Sequence, residues 1–177
     1  MSGVSVTSNT TFVSDGRTID ISNITSDCKY GVGESHIGSN GSEWVYCKST
    51  AAVSSGSFCN IGSDGTLTPI TGALLTTAST GIGPRFGWVQ TAWTSSQYGF
   101  VAVRGAKLLV RIAGSAGANA VLYTTDTAGC LGTSTASASQ IECFGVSFEA
   151  SVSASGSTAS VATANVSFPI LRYPKTP

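Results

Sequence analysis

From Gly41 onward the chain keeps returning to a two-residue rhythm of side chains, and no long window carries the 3.6-residue stripe of a helix. Glu43-Trp44-Val45-Tyr46-Cys47, Gly87-Trp88-Val89-Gln90, Gln97-Tyr98-Gly99-Phe100-Val101-Ala102-Val103 and Ile141 to Ala150 all carry it. Turn signals fall between such runs: Asn40-Gly41, Ser63-Asp64-Gly65-Thr66, Arg104-Gly105-Ala106 and Thr127-Ala128-Gly129. Short strands with turns every 8 to 12 residues or so predict an all-β, single-domain antiparallel barrel or sandwich.

The alternation also assigns faces. Trp44 and Tyr46 share one side of a strand, and Val45 and Cys47 the other. Tyr98 to Ile112 reads as a hairpin about Arg104-Gly105-Ala106, with Leu108, Val110 and Ile112 on one face and Lys107, Leu109 and Arg111 on the other. Phe144, Val146 and Phe148 are expected together, as are Val166, Phe168 and Ile170; Pro169, lacking an amide donor, marks an edge or a strand end. Gly81-Ile82-Gly83-Pro84 reads as a loop, and 68–80 is the one stretch where a helical turn would be tolerated. The first forty residues, rich in Ser, Thr, Asn and Gly with scattered apolar positions, read as an N-terminal arm with short strands, followed by a β-domain over 41–177.

Whether such a chain folds at all is a question of composition. Hydrophobic residues make up 41% of it and the formal net charge is zero, whereas disordered chains pair low hydrophobicity with high net charge. Only 10% of residues are charged, so the surface is neutral and prone to associate. Zero net charge removes the counterion release that drives nucleic-acid binding, and Arg104, Lys107 and Arg111 form only a short basic cluster. Direct nucleic-acid binding is not expected. No apolar run reaches the roughly 20 residues of a membrane span, and Met1 to Val6 lacks the blocks of a signal peptide, so a cytoplasmic origin is expected.

Reactive groups are sparse. His36 is the only histidine; it sits among Gly33, Ser35, Gly38 and Ser39 in a presumed loop, with Glu34 the one nearby metal-ligand type. The carboxylates are scattered, with Asp64 and Asp126 in turns, where Asp is favoured for backbone reasons. Gly114-Ser115-Ala116-Gly117 lacks the lysine of a phosphate loop. Cys28, Cys47, Cys59, Cys130 and Cys143 are odd in number and show no CxxC spacing, which fits reduced, mostly buried thiols. No catalytic residue, metal ligand or cofactor is therefore assigned. Trp44, Trp88 and Trp93, with Tyr98 and Phe100, fit a β core better than a sugar-stacking platform.

The order Gly-Ser-Glu-Trp-Val-Tyr at 41–46, Phe-Gly-Trp-Val-Gln at 86–90, Gln-Tyr-Gly-Phe-Val-Ala-Val-Arg-Gly at 97–105, Ala-Gly-Ala-Asn-Ala-Val-Leu-Tyr-Thr-Thr-Asp-Thr-Ala-Gly at 116–129 and Val-Ser-Phe-Pro at 166–169 resembles the head decoration, or cement, proteins of tailed bacteriophages. The resemblance spans most of 40–170; it departs at Cys47, where the family carries an aliphatic residue, and at Cys130 after Gly129. It implies a homotrimer made in the host cytoplasm and carried on the capsid exterior, bridging subunits of the major capsid protein. Outside the match, Val4, Val6, Phe12 and Val13 are the candidate capsid-binding anchors of an arm reaching along the shell; the other reading is an ordinary first strand or frayed terminus. A carbohydrate-binding or host-attachment module using the tryptophans, and a small hydrolase using Cys or Ser with His36, remain as alternatives.

Overall fold

The computed structural model describes residues 11–14, 17–20, 23–38, 41–71, 85–133, 141–153 and 159–172. Val4, Val6 and the 81–84 break lie outside them, as does most of the 68–80 stretch. The described residues contain twelve strands and no helix: β1 Thr11–Ser14, β2 Arg17–Asp20, β3 Ser35–Ile37, β4 Glu43–Ser49, β5 Phe58–Ile61, β6 Thr66–Pro69, β7 Arg85–Val89, β8 Tyr98–Ala113, β9 Leu122–Thr124, β10 Leu131–Gly132, β11 Glu142–Phe148 and β12 Ala159–Arg172. The all-β expectation holds. β1 and β2 form a separate two-stranded sheet in which Phe12 pairs with Ile19 and Val13 with Thr18. β3, within the stretch read as arm, belongs instead to the main sheet, pairing with β4.

The other ten strands form one sheet whose pairings run in two circuits. In the first, β4 pairs with β8, β8 with β7, β7 with β5 and β5 with β6, all antiparallel, and β6 returns to β4 in parallel. In the second, β8 pairs with β12, β12 with β11, β11 with β9 and β9 with β10, again antiparallel, and β10 returns to β8 in parallel. The two parallel registers make the sheet mixed, where the sequence suggested an antiparallel one.

The circuits are copies of one pattern. Strands enter in the same chain order and close through the same parallel pair. Val45 faces Val101 in the first as Leu108 faces Ala164 in the second, each residue displaced along the chain by the same amount. Val89 faces Val101 as Phe148 faces Ala164. The loops after β4 and β7 clasp through a two-way backbone bridge between Val53 and Trp93, and those after β8 and β11 do so through Ala116 and Val152.

A strand common to both circuits must present two apolar faces, and β8 does. Val101 and Val103 join Val45, Cys47, Cys59, Ile61, Leu67 and Val89 in one buried cluster inside the first circuit. Phe100, Ala102, Leu108, Val110 and Ile112 join the other, which runs from Trp44, Tyr46, Phe58 and Trp88 on the outside of the first circuit to Leu122, Leu131 and Phe148 in the second. The faces assigned to Trp44/Tyr46, Val45/Cys47 and Leu108/Val110/Ile112 are thus those observed. The hairpin expected at Arg104-Gly105-Ala106 is not: Tyr98–Ala113 is one continuous strand. Its first half pairs with β4 and its second with β12, so the chain passes from one circuit to the other where a turn was expected to reverse it. The turn at Asp64-Gly65 is present; Asp64 accepts from the Thr66 amide at 3.0 Å and its hydroxyl at 2.7 Å, and Gly65 takes φ +75°.

Candidate functional site

The surface that departs most from a solvated β-sheet lies where β11 begins and β12 ends. Alternation would put Phe144 on the side of Phe148, and Phe168 and Ile170 on the side of Val166. Phe148 and Val166 are buried, but Phe144, Phe168 and Ile170 are 40%, 47% and 63% exposed. The cause is local. A bulge falls between Phe144 and Val146, where Gly145 adopts φ +83°; a Cβ there would sit 2.4 Å from the Ser167 carbonyl oxygen. Across the pair Phe168 adopts φ +44°, a left-handed conformation that costs an aromatic residue on the order of 1–3 kcal/mol. At the shift Gly145 alone on β11 lies opposite Ser167, Phe168 and Pro169 on β12, and the inward-facing parity changes on both strands across it, so all three side chains turn outward. Pro169 follows where β12 has run past its last partner on β8, Arg104, so its missing amide donor leaves no ladder bond unmade on that side.

Gly145→Ala should therefore destabilise the protein by about 2 kcal/mol, read as a lower urea midpoint with unchanged slope. An unchanged midpoint would show that the bulge tolerates a side chain.

Phe168, Pro169 and Ile170 form one wall of a groove of about 330 Å³; Glu43, Arg85, Phe86 and Val103 form the rest. Arg85 donates to Ser35 Oγ on β3, which ties the groove's far side to the sheet edge. The Arg104 guanidinium sits 5.5 Å from the centroid of the Phe168 ring and holds it by a cation–π contact. The result is an apolar, aromatic strip beside two guanidinium groups and one carboxylate.

The other residues singled out in the sequence fall elsewhere. The backbones of Phe12 and Val13 lie in β1. His36 is not in a loop: it lies on β3 opposite Trp44, is 7% exposed, and packs edge-on against Tyr30 and Phe100. Its Nε2 stands 3.7 Å from Glu34 Oε1. Among the described residues no group of three or more His, Cys, Asp or Glu is placed to hold a metal ion. Trp44, Trp88 and Trp93 are 1%, 0% and 3% exposed, so they are core residues and supply no surface platform.

Four of the five thiols are buried and Cys28 is exposed. Burial pushes the Cys59 and Cys47 thiols well up, and Cys143 from the ordinary 9.0 to about 12. A folded-state value above the unfolded one stabilises the fold fully below the unfolded value, and that stability is lost as pH rises. Chemical denaturation should accordingly show stability falling between pH 9 and about 12, with a shallower fall in Cys143→Ala. At pH 8 a thiol reagent should label Cys28 alone until the chain is unfolded.

Alternation alone put Phe144 on one face with Val146 and Phe148, and Phe168 and Ile170 on one face with Val166; the structure separates them from the buried Phe148 and Val166. The available signals were Gly145 inside an otherwise alternating strand and Pro169 directly after Phe168. Neither a protein-family model, nor a curated protein, nor a solved structure matches the chain.

Proposed function

We propose that this chain is a non-catalytic shell protein of the bacteriophage head decoration type, which binds the outer surface of an icosahedral capsid and holds subunits of the major capsid protein together. The observation that carries the reading is the outward apolar strip Phe144, Phe168 and Ile170 beside Arg85 and Arg104. Large side chains are turned to solvent there at the expense of backbone strain, and aromatic and arginine side chains dominate binding energy at protein interfaces. A complementary capsid surface would offer an apolar knob rimmed by carboxylates. The nearly uncharged surface and the resemblance of the 41–46, 86–90, 97–105 and 116–129 segments support the same reading. Many identical copies on a symmetric shell would convert modest individual contacts into firm attachment.

The test is stoichiometry. Quantitative mass analysis of purified virions should find the chain in numbers comparable to the major capsid protein, and the isolated protein should bind empty expanded shells saturably. A few copies per particle, or no shell binding, would reject the proposal.

A further inference from the structure

The two circuits differ in how the strand that leaves each of them is finished. The displacement that carries Val101 onto Ala164 carries 105–109 of β8 onto 168–172 of β12. Past Gly105 both edges of β8 are met. β12 pairs along one edge. On the other, the Gln90 side chain accepts from the Leu109 amide at 2.8 Å and donates to the Leu109 carbonyl at 3.2 Å, and the Gly56 carbonyl accepts from the Arg111 amide at 2.7 Å. The Gln90 carboxamide thus presents to β8 the donor and acceptor that a peptide group of a further strand would present.

Past Ser167 only one edge of β12 is met. β11 pairs with it through Phe144, Cys143 and Glu142, whereas on the β8 side the pairing ends at Ser167, opposite Arg104. Among the described residues no other group bonds to the backbone of 168–171 on that side. The open edge borders the groove of Phe168, Pro169 and Ile170, whose other walls, Glu43, Arg85, Phe86 and Val103, come from β4, β7 and β8 and none from β11. Exposed edges of this kind are templates for pairing, and proteins ordinarily blunt them with charged side chains or proline. Residues 166–171 carry no charge, and Pro169 removes one donor while leaving every acceptor.

The side chains around the edge select its occupant. Arg85 and Arg104 flank it against one carboxylate, Glu43, and among the described residues neither arginine is in a salt bridge. A second copy of the chain would bring two more guanidinium groups to the same place, which disfavours self-pairing, whereas carboxylates are drawn to it. An extended chain supplies the missing ladder partner, and its alternate side chains fall on one face, over Phe168 and Ile170. We infer that the strip takes up an extended acidic protein segment, added as a strand to the open edge of β12 with its carboxylates at Arg85 and Arg104; this rests on the shell-binding reading of the strip and names the form in which a shell subunit meets it.

Two measurements on the full chain test it. The peptide Asp-Val-Thr-Val-Thr-Val-Glu should bind with a Kd of about 1 mM or tighter, and its Lys-Val-Thr-Val-Thr-Val-Lys counterpart about tenfold more weakly or worse, with amide shifts centred on 168–171. Because successive amides of a strand point to opposite edges, N-methylating the valines or the threonines should abolish binding in one case and spare it in the other. On empty expanded shells, hydrogen exchange of at least one of the Phe168, Ile170 and Leu171 amides should slow by about tenfold or more relative to the free chain. No peptide binding at several millimolar, equal binding of the lysine peptide, equal behaviour of the two methylated forms, or a dimer of the chain that takes up the same amides would overturn the assignment. Shell binding with all three amides exchanging as in the free chain would overturn it and leave the shell-binding reading intact; peptide binding without shell binding would keep the strand site and remove the shell as its partner.

Discussion

Trp88→Ala is expected to destabilise the protein by about 3–5 kcal/mol, enough to remove a large part of the stability of a domain this size. Trp88 is fully buried and stacks on Phe58 at 4.6 Å, at the level where the outside of the first circuit meets the second. Truncation would leave a cavity that strands held in place on both sides cannot close. Urea denaturation followed by far-UV circular dichroism would show a lower midpoint; a loss below about 1 kcal/mol would mean that the two layers repack or do not bear on each other. Leu109→Ala, on the outer side of β8, should cost far less in the same assay.

The largest functional effect is expected from Phe168→Asp combined with Ile170→Asp. Both side chains are exposed, and Asp is among the residues that tolerate a positive φ, so the fold should change in stability by no more than about 0.5 kcal/mol per site. Interface anchors of this kind each contribute on the order of 2 kcal/mol or more, which puts the loss of shell affinity at roughly 100-fold or greater. Co-sedimentation with expanded capsids measures it. Occupancy equal to that of the unaltered protein would remove the strip from the interface, while Arg85→Ala and Arg104→Ala should produce intermediate losses.

Much of the fold could be read from local pattern because local pattern is what those parts depend on. The two faces of β4, the Asp64-Gly65 turn and the burial of all three tryptophans follow from alternation, turn chemistry and apolar area. The continuity of β8 did not follow, because Gly105 permits either a reversal or a straight path. Partners distant in sequence, β4 on one half and β12 on the other, choose between them. The outward strip escaped for a related reason: one bulge at Gly145 and one left-handed residue at Phe168 each shift the face of what neighbours them, and period-two reading has no term for either. The internal repeat is faint in residue identity, Leu67 and Leu131 being an exception at the closing strands. Val45 and Val101 answer to Leu108 and Ala164, alike in being apolar and in nothing else.

The strand common to both circuits also governs how the molecule can come apart. Each circuit closes on its own half of β8, the first on residues 98–104 and the second on residues 104–113, so a cut near Gly105 would leave nearly every ladder partner in place, and the apolar cluster from Phe58 and Trp88 to Leu122 and Phe148 would have to hold the two pieces together.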